Sequence, residues 1–244
     1  MRYFYYIVFP PPKQPRILPS AAASCKIGGE VILMRTKEQI DGILGALERE
    51  YPMADCTLTE RDAWRLLVQV RLAAQCTDAR VNLVTPALFA RFPTVEAMAA
   101  ADIGEVEELI RSCGFYHGKA RDLVWQAQRI AEVYGGKVPD NMDDLLTLPG
   151  VGRKSANLIL GDVFHQPGAV VVDTHCIRLS NRMGLVDNEK DPARIEKQLR
   201  AVLPPEKSND FCHRLVLHGR AVCTARKPLC DICCCAAYCK TLNQ

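Results

Sequence analysis

From Met34 onward, apolar residues recur at helical spacing along almost the whole chain. Thr36 and Gln39 form a capping-box pair ahead of Ile40, Ile43, Leu44 and Leu47, which fall on one helical face. Thr59 and Asp62 open a second helix over 63–75, apolar on nearly every side and therefore expected to be buried. A third runs from Thr77 towards Phe92, with a break or kink expected at Pro86. Thr94 caps a short helix, and residues 103–112 form another. The stretch from Lys119 to Tyr134 places Leu123, Val124, Ala127, Ile130, Ala131 and Tyr134 on one face before Gly135-Gly136 stops it. Asp191-Pro192 starts a late helix with proline at its first position, and residues 208–220 form the last long one. No convincing pair of alternating strands is present. The only β-like run, Ala169 to Val172, is too short to make a sheet. The pattern predicts an all-α fold without internal repeats or low-complexity segments.

The first 33 residues depart from this pattern. Their apolar stretch, Tyr3 to Phe9, is shorter than a secretory signal requires and ends at three prolines. Gly28-Gly29-Glu30 can be encoded by a stretch containing a bacterial ribosome-binding sequence, and Met34 follows at a suitable distance. Residues 1–33 are accordingly expected to be a disordered, non-native upstream extension. Composition narrows the class further. The 244 residues are 48% apolar and 24% charged, an ordinary globular balance. No run of eighteen apolar residues offers a membrane span. A net charge of +3 permits nucleic-acid binding without arguing for it. The twelve cysteines, five of them between Cys230 and Cys239, are unusual. A chain with this much apolar surface to bury does not need a disulfide framework, so the local cluster points to a metal or cluster site in a reducing compartment.

Chemistry concentrates first in residues 143–160, DDLLTLPGVGRKSANLIL. A short apolar helix leads into Leu148-Pro149-Gly150-Val151-Gly152, and a second helix begins near Arg153. Two glycines spaced by one residue allow a tight turn and leave backbone amides uncovered at a helix N-terminus, where a phosphate is favoured. The bland alternative is a simple helix connection.

LPGVGRKSAN followed about twenty residues later by VVDTH resembles the endonuclease III family of helix-hairpin-helix glycosylases. The resemblance spans roughly residues 35 to 242. It implies that Lys154 is the nucleophile and Asp173 its carboxylate partner, with Gly150, Gly152 and Arg153 against the DNA backbone and Arg178 as a further DNA contact. A free lysine, with a pKa of about 10.4, is nearly all protonated at neutral pH. Desolvation in a closed cleft and the positive end of a helix both favour the attacking neutral amine. The resemblance further implies that AAQCTD, residues 73–78, supplies Gln75 to fill the space left by a flipped nucleotide, and that Gly114-Phe115-Tyr116 supplies Phe115 as an apolar wedge. Ala73 stands where the family usually has serine. Simpler fates exist for each residue: a helix-end glutamine, a core phenylalanine, a solvated lysine, and an N-capping aspartate ahead of Thr174.

Cys223-x6-Cys230-x2-Cys233-x5-Cys239 matches the spacing of that family's [4Fe–4S] loop. Four thiolates suit Zn²⁺ or an iron–sulfur cube equally by spacing; the resemblance selects the cube. Cys234 and Cys235 depart from the family pattern and could compete as ligands, although Cys233 alone preserves both flanking spacings. Arg226 and Lys227, between the first two ligands, match an exposed basic loop that grips DNA. Arg71 sits oddly within an apolar helix.

The resemblance therefore implies a two-lobed glycosylase fold. One lobe, 56–167, is a helical barrel with the hairpin; the other combines 34–55 with 168–244 and carries the cluster. The expected activity is excision of oxidised pyrimidines from duplex DNA and β-elimination at abasic sites, by a monomer in a bacterial cytoplasm, associated with the nucleoid, without membrane contact. Three rivals are weaker. An adenine-mismatch glycosylase usually lacks the hairpin lysine and carries an extra C-terminal domain. A non-catalytic DNA binder and an electron-transfer protein would leave abasic DNA uncut.

Overall fold

A computed structural model describes residues 25–27, 30–32 and 35–243. Two three-residue strands, β1 (Cys25–Ile27) and β2 (Glu30–Ile32), pair antiparallel with Cys25 opposite Ile32. The hydropathy pattern gave no sign of them. The rest of the expectation for 1–33 lies outside the described residues.

From residue 35 to 243 the chain is helical or loop. The chain begins with α1 (Lys37–Glu50), then builds one core from α2 (Ala63–Leu72), α3 (Asp78–Arg91), α4 (Val95–Ala99), α5 (Ile103–Ile110), α6 (Tyr116–Tyr134), α7 (Met142–Leu145) and α8 (Arg153–Asp162). It returns through α9 (Thr174–Met183), α10 (Pro192–Val202) and α11 (Ser208–Ala221), which form a second core with α1. Leu66, Leu67, Val81, Leu88, Met98, Leu123, Ile130 and Ile159 are fully enclosed in the first core; Ile43, Leu47, Leu179, Leu199, Phe211 and Leu215 are enclosed in the second. Leu158 packs against both. Among the described residues no helix is long and apolar enough to cross a membrane.

Local chemistry sets most helix starts. Thr36, Asp62, Thr77, Thr94, Asp102, Asn141, Asp173 and Asp191 each accept a backbone N–H three residues on. Thr36 and Gln39 complete the capping box. Among the described residues, three α-helices start without a side-chain cap. One is α11, which follows directly on the 3-10 turn Pro205–Lys207; the others are α6, entered from Phe115, and α8, entered from Gly152.

Several boundaries differ from those the sequence predicts. Helix α3 runs through Pro86 unbroken. The proline lies on the exposed side, where water can satisfy the carbonyl it leaves without a donor. Helix α2 stops at Leu72, because the chain turns left-handed at Gln75, with φ 55°. Helix α6 begins three residues early, at Tyr116. Ala169–Val172 is a buried connector rather than a strand, and the Val170 N–H donates to Asn157 Oδ1 at 3.4 Å.

Candidate active site

The hairpin turn is braced from below. At Gly150 the backbone has φ +72°, and a Cβ there would lie 2.5 Å from Asp122 Oδ2 and 2.6 Å from Arg71 Nε. Arg71 Nε donates to Asp122 Oδ2 at 2.6 Å, so the odd arginine of α2 joins α6 directly under the turn. Gln126, also of α6, donates to the carbonyl of Pro149. Gly152 differs: its φ is −106°, and nothing lies within 4 Å of a Cβ built on it. It ends the turn as the N-cap of α8 without a side chain to accept the first amides. These N–H groups stay open towards solvent, at the positive end of the helix.

Lys154, in the first turn of α8, is exposed and lines a cleft of about 340 Å³ between the two cores. Asp173 lines the same cleft from the start of α9, as does Gln75 from the turn after α2. Asp173 performs the capping task as well: its Oδ1 accepts the Cys176 N–H at 2.7 Å. One carboxylate oxygen is thus fixed by the helix. Phe115 stands apart from this cleft, 73% exposed and left-handed at φ 46°. Gln75 and Phe115 are two of only four non-glycine residues with positive φ among those described. Such strain persists where surrounding structure enforces it.

The basic residues divide by environment. Arg226 and Lys227 are exposed on the loop after Cys223. Arg153 makes a two-point pair with buried Glu196, at 2.9 and 2.6 Å, and thereby ties α8 to α10. Arg178 turns inward, donating to the carbonyls of Gly219 and Cys223 at 3.1 Å each. Its close approach to α11 depends on Gly219, where a Cβ would lie 2.9 Å from the guanidinium and 2.4 Å from His175 Nδ1. Burial holds His175 below the ordinary histidine pKa.

Other residues of the cleft carry no motif. Cys212, His213, Val216, Leu217 and Arg220 form the wall from α11. His213 Nε2 lies 2.7 Å from Asp162 Oδ1, and Asn209 donates to the same oxygen at 2.7 Å. Arg220 lies 3.6 Å from Asp78, next to the Gln75 turn. Polar positions at helical spacing on an otherwise apolar face of 208–220 were the available signal.

In the C-terminal loop, burial and the neighbouring thiols of Cys233, Cys223 and Cys239 push the Cys230 thiol up. Arg182 binds the loop from α9. Its Nη1 donates to Cys223 Sγ at 3.3 Å and its carbonyl accepts from Cys239 Sγ at 3.4 Å. The Cys233 thiol is held down to about 4 by hydrogen bonding from Cys235 and from His218, whose Nε2 lies 3.3 Å away. Cys235 is fully buried and pushed up, the protonated member of that pair. Ligation requires a thiolate, and of Cys233 and Cys235 only Cys233 is drawn towards that form; four cysteines in one loop are the donor type that a four-thiolate group takes. Among the described residues no three such side chains converge as a single-ion site.

Residues 68–205 match the family described as HhH-GPD superfamily base excision DNA repair protein. An endonuclease III of Synechocystis sp. is 47% identical over 203 residues, 83% of this chain and 92% of the relative. That of Bacillus subtilis is 38% identical over 207 residues, 85% and 94% of the two chains. A solved structure of a trapped endonuclease III–DNA covalent intermediate superimposes with a TM-score of 0.80 at 38% identity, over 86% of this chain and 98% of that one.

Proposed function

The chain belongs to the endonuclease III family of the HhH-GPD base excision repair superfamily and is a DNA glycosylase; on that premise we propose that it removes oxidised pyrimidines and cleaves the abasic strand through Lys154. The observation that carries this reading is the meeting of Lys154, Asp173 and Gln75 in one cleft between two separately packed cores. DNA lies across that cleft, with backbone phosphates on the open amides of the Gly150–Gly152 turn and on Arg226 and Lys227. Gln75 and Phe115 enter the duplex on either side of the extruded nucleotide, because a stacked base cannot reach the amine.

Bound DNA closes the exposed mouth around Lys154 and strips water from the ammonium, which favours the neutral form. The amine attacks C1′, and the glycosidic bond breaks with its electron pair, and a proton, passing to the departing base. Asp173 stabilises the positive charge growing on the sugar and relays the proton shed by the amine to that base. Opening of the sugar ring leaves an imine between Lys154 and C1′. The imine acidifies C2′–H; loss of that proton expels the 3′ phosphate by β-elimination, and water then frees the lysine. Cys223, Cys230, Cys233 and Cys239 would hold a [4Fe–4S] cluster, which when bound cross-links a segment too short to fold alone. The enzyme works on duplex DNA as a monomer in the bacterial cytoplasm.

Incision of duplexes with a single oxidised pyrimidine, an abasic site or no lesion tests this. The wild-type protein cuts the first two only, and Lys154→Ala cuts neither. Abasic duplex left intact by the wild-type protein would overturn the reading.

A further inference from the structure

Lys119 is among the largest fully enclosed side chains of the first core, 1% exposed. It sits in the first turn of α6, where the helix dipole disfavours a cation. Burial, and the nearby Arg71 guanidinium, push its pKa down. A lysine in such a place needs acceptors. It has two: Nζ donates to the carbonyl of Leu72 at 2.8 Å and to that of Cys113 at 2.8 Å.

Both acceptors terminate helical segments, where carbonyls lack intrahelical donors and carry the negative end of the dipole. Leu72 is the last residue of α2, three before Gln75. Cys113 is the last residue of the 3-10 turn Arg111–Cys113, two before Phe115. The Lys119 N–H itself donates to the Phe115 carbonyl at 3.2 Å. One ammonium therefore clamps together the two turns whose tips are the left-handed residues Gln75 and Phe115, 40 positions apart in the chain. Neither tip is held by a side-chain cap: Phe115 has none, and the backbone after Leu72 closes through local bonds, Ala73 N–H to Gln69 O, Ala74 N–H to Arg71 O and Cys76 N–H to Ala73 O, none of which reaches the other turn.

We propose that Lys119 is a positioning residue for duplex opening, its buried ammonium fixing the Gln75 and Phe115 turns at the spacing that lets both side chains enter the helix together. This rests on the wedge roles given above for Gln75 and Phe115. It gives Lys119 no contact with DNA and no part in bond cleavage, so it separates opening the duplex from cutting the strand.

The test compares incision of an abasic site in duplex DNA, which must be opened, with the same site in single-stranded DNA, which need not be. Lys119→Met keeps the length of the side chain and removes the donors. It is expected to lower duplex incision by roughly tenfold or more while single-stranded incision stays within about twofold, since two buried carbonyls lose their partner without any change at Lys154. Lys119→Gln, which retains two N–H donors, should show a smaller loss in the same direction, and serves if the methionine variant does not fold. Adding Lys119→Met to a Gln75→Ala/Phe115→Ala protein should produce little further loss. Equal losses on both substrates, or no loss on duplex, would overturn the role of Lys119. If Gln75→Ala/Phe115→Ala itself leaves duplex incision at the wild-type rate, the wedge reading fails and takes this inference with it.

Discussion

Gly150 and Gly152 belong to one turn, yet alanine at the two positions should give opposite signatures. At Gly150 the backbone is left-handed, which costs a residue with a Cβ about 1–2 kcal/mol. The added methyl would also sit 2.5 Å from Asp122 Oδ2 and 2.6 Å from Arg71 Nε, so this half-buried pair must separate or shift. Its side chains are about one-fifth exposed, and its loss contributes roughly 1–2 kcal/mol after allowance for solvent. Gly150→Ala should therefore destabilise the holoprotein by roughly 2–4 kcal/mol, a fall in Tm of roughly 4–16 °C for a chain of this size. Gly152 has ordinary φ and open space beyond its Cα. Gly152→Ala should hold stability within about 0.5 kcal/mol. It covers the amides offered to a phosphate, however, and should weaken duplex binding by roughly two- to tenfold at fixed salt. Thermal unfolding by circular dichroism, paired with fluorescence anisotropy on a labelled duplex, reads both quantities. A Gly152→Ala protein as unstable as Gly150→Ala, or a Gly150→Ala protein as stable as wild type, would refute the assignment of bracing to one glycine and phosphate contact to the other.

Three further outcomes follow from the same geometry. Cys233→Ser should lose the visible absorption of an iron–sulfur cube in freshly purified protein, whereas Cys234→Ala should keep it. His175 has a folded-state pKa below its ordinary 6.5, so the unfolded chain binds the proton first on acidification and stability falls as pH drops below that value; His175→Gln should flatten this part of the pH–Tm curve. Asp162 is the opposite case: although burial alone would raise it, His213 and Asn209 hold the carboxyl below its ordinary value, so it stabilises the fold above that value and ceases to do so as pH falls further; Asp162→Asn should remove this acid-limb contribution in urea titrations.

What the sequence revealed and what it hid divide along a physical line. Thr36, Asp62, Thr77, Thr94 and Asp191 announced their helices because capping acts within three residues. LPGVGRKSA was legible for the same reason: turn, glycines and helix start lie in one string. Arg71 was opaque because its partner, Asp122, is 51 residues away, and Arg153 could not be seen to engage Glu196, 43 residues on. At the end of α2, Lys119 takes the Leu72 carbonyl and the chain goes on to the left-handed turn at Gln75, neither of which an apolar run through 63–75 encodes. His213 and Arg220 line the cleft from α11, which comes close to α9 at Gly219, a packing fact without a local motif.

The central claim is that the Lys154 amine becomes covalently joined to the sugar. Sodium borohydride added during reaction with abasic duplex should fix the imine as a stable protein–DNA adduct, with the modified peptide carrying Lys154. The Lys154→Ala protein should give none. An adduct formed equally by Lys154→Ala, or none from the wild-type protein while it cuts the strand, would contradict the account.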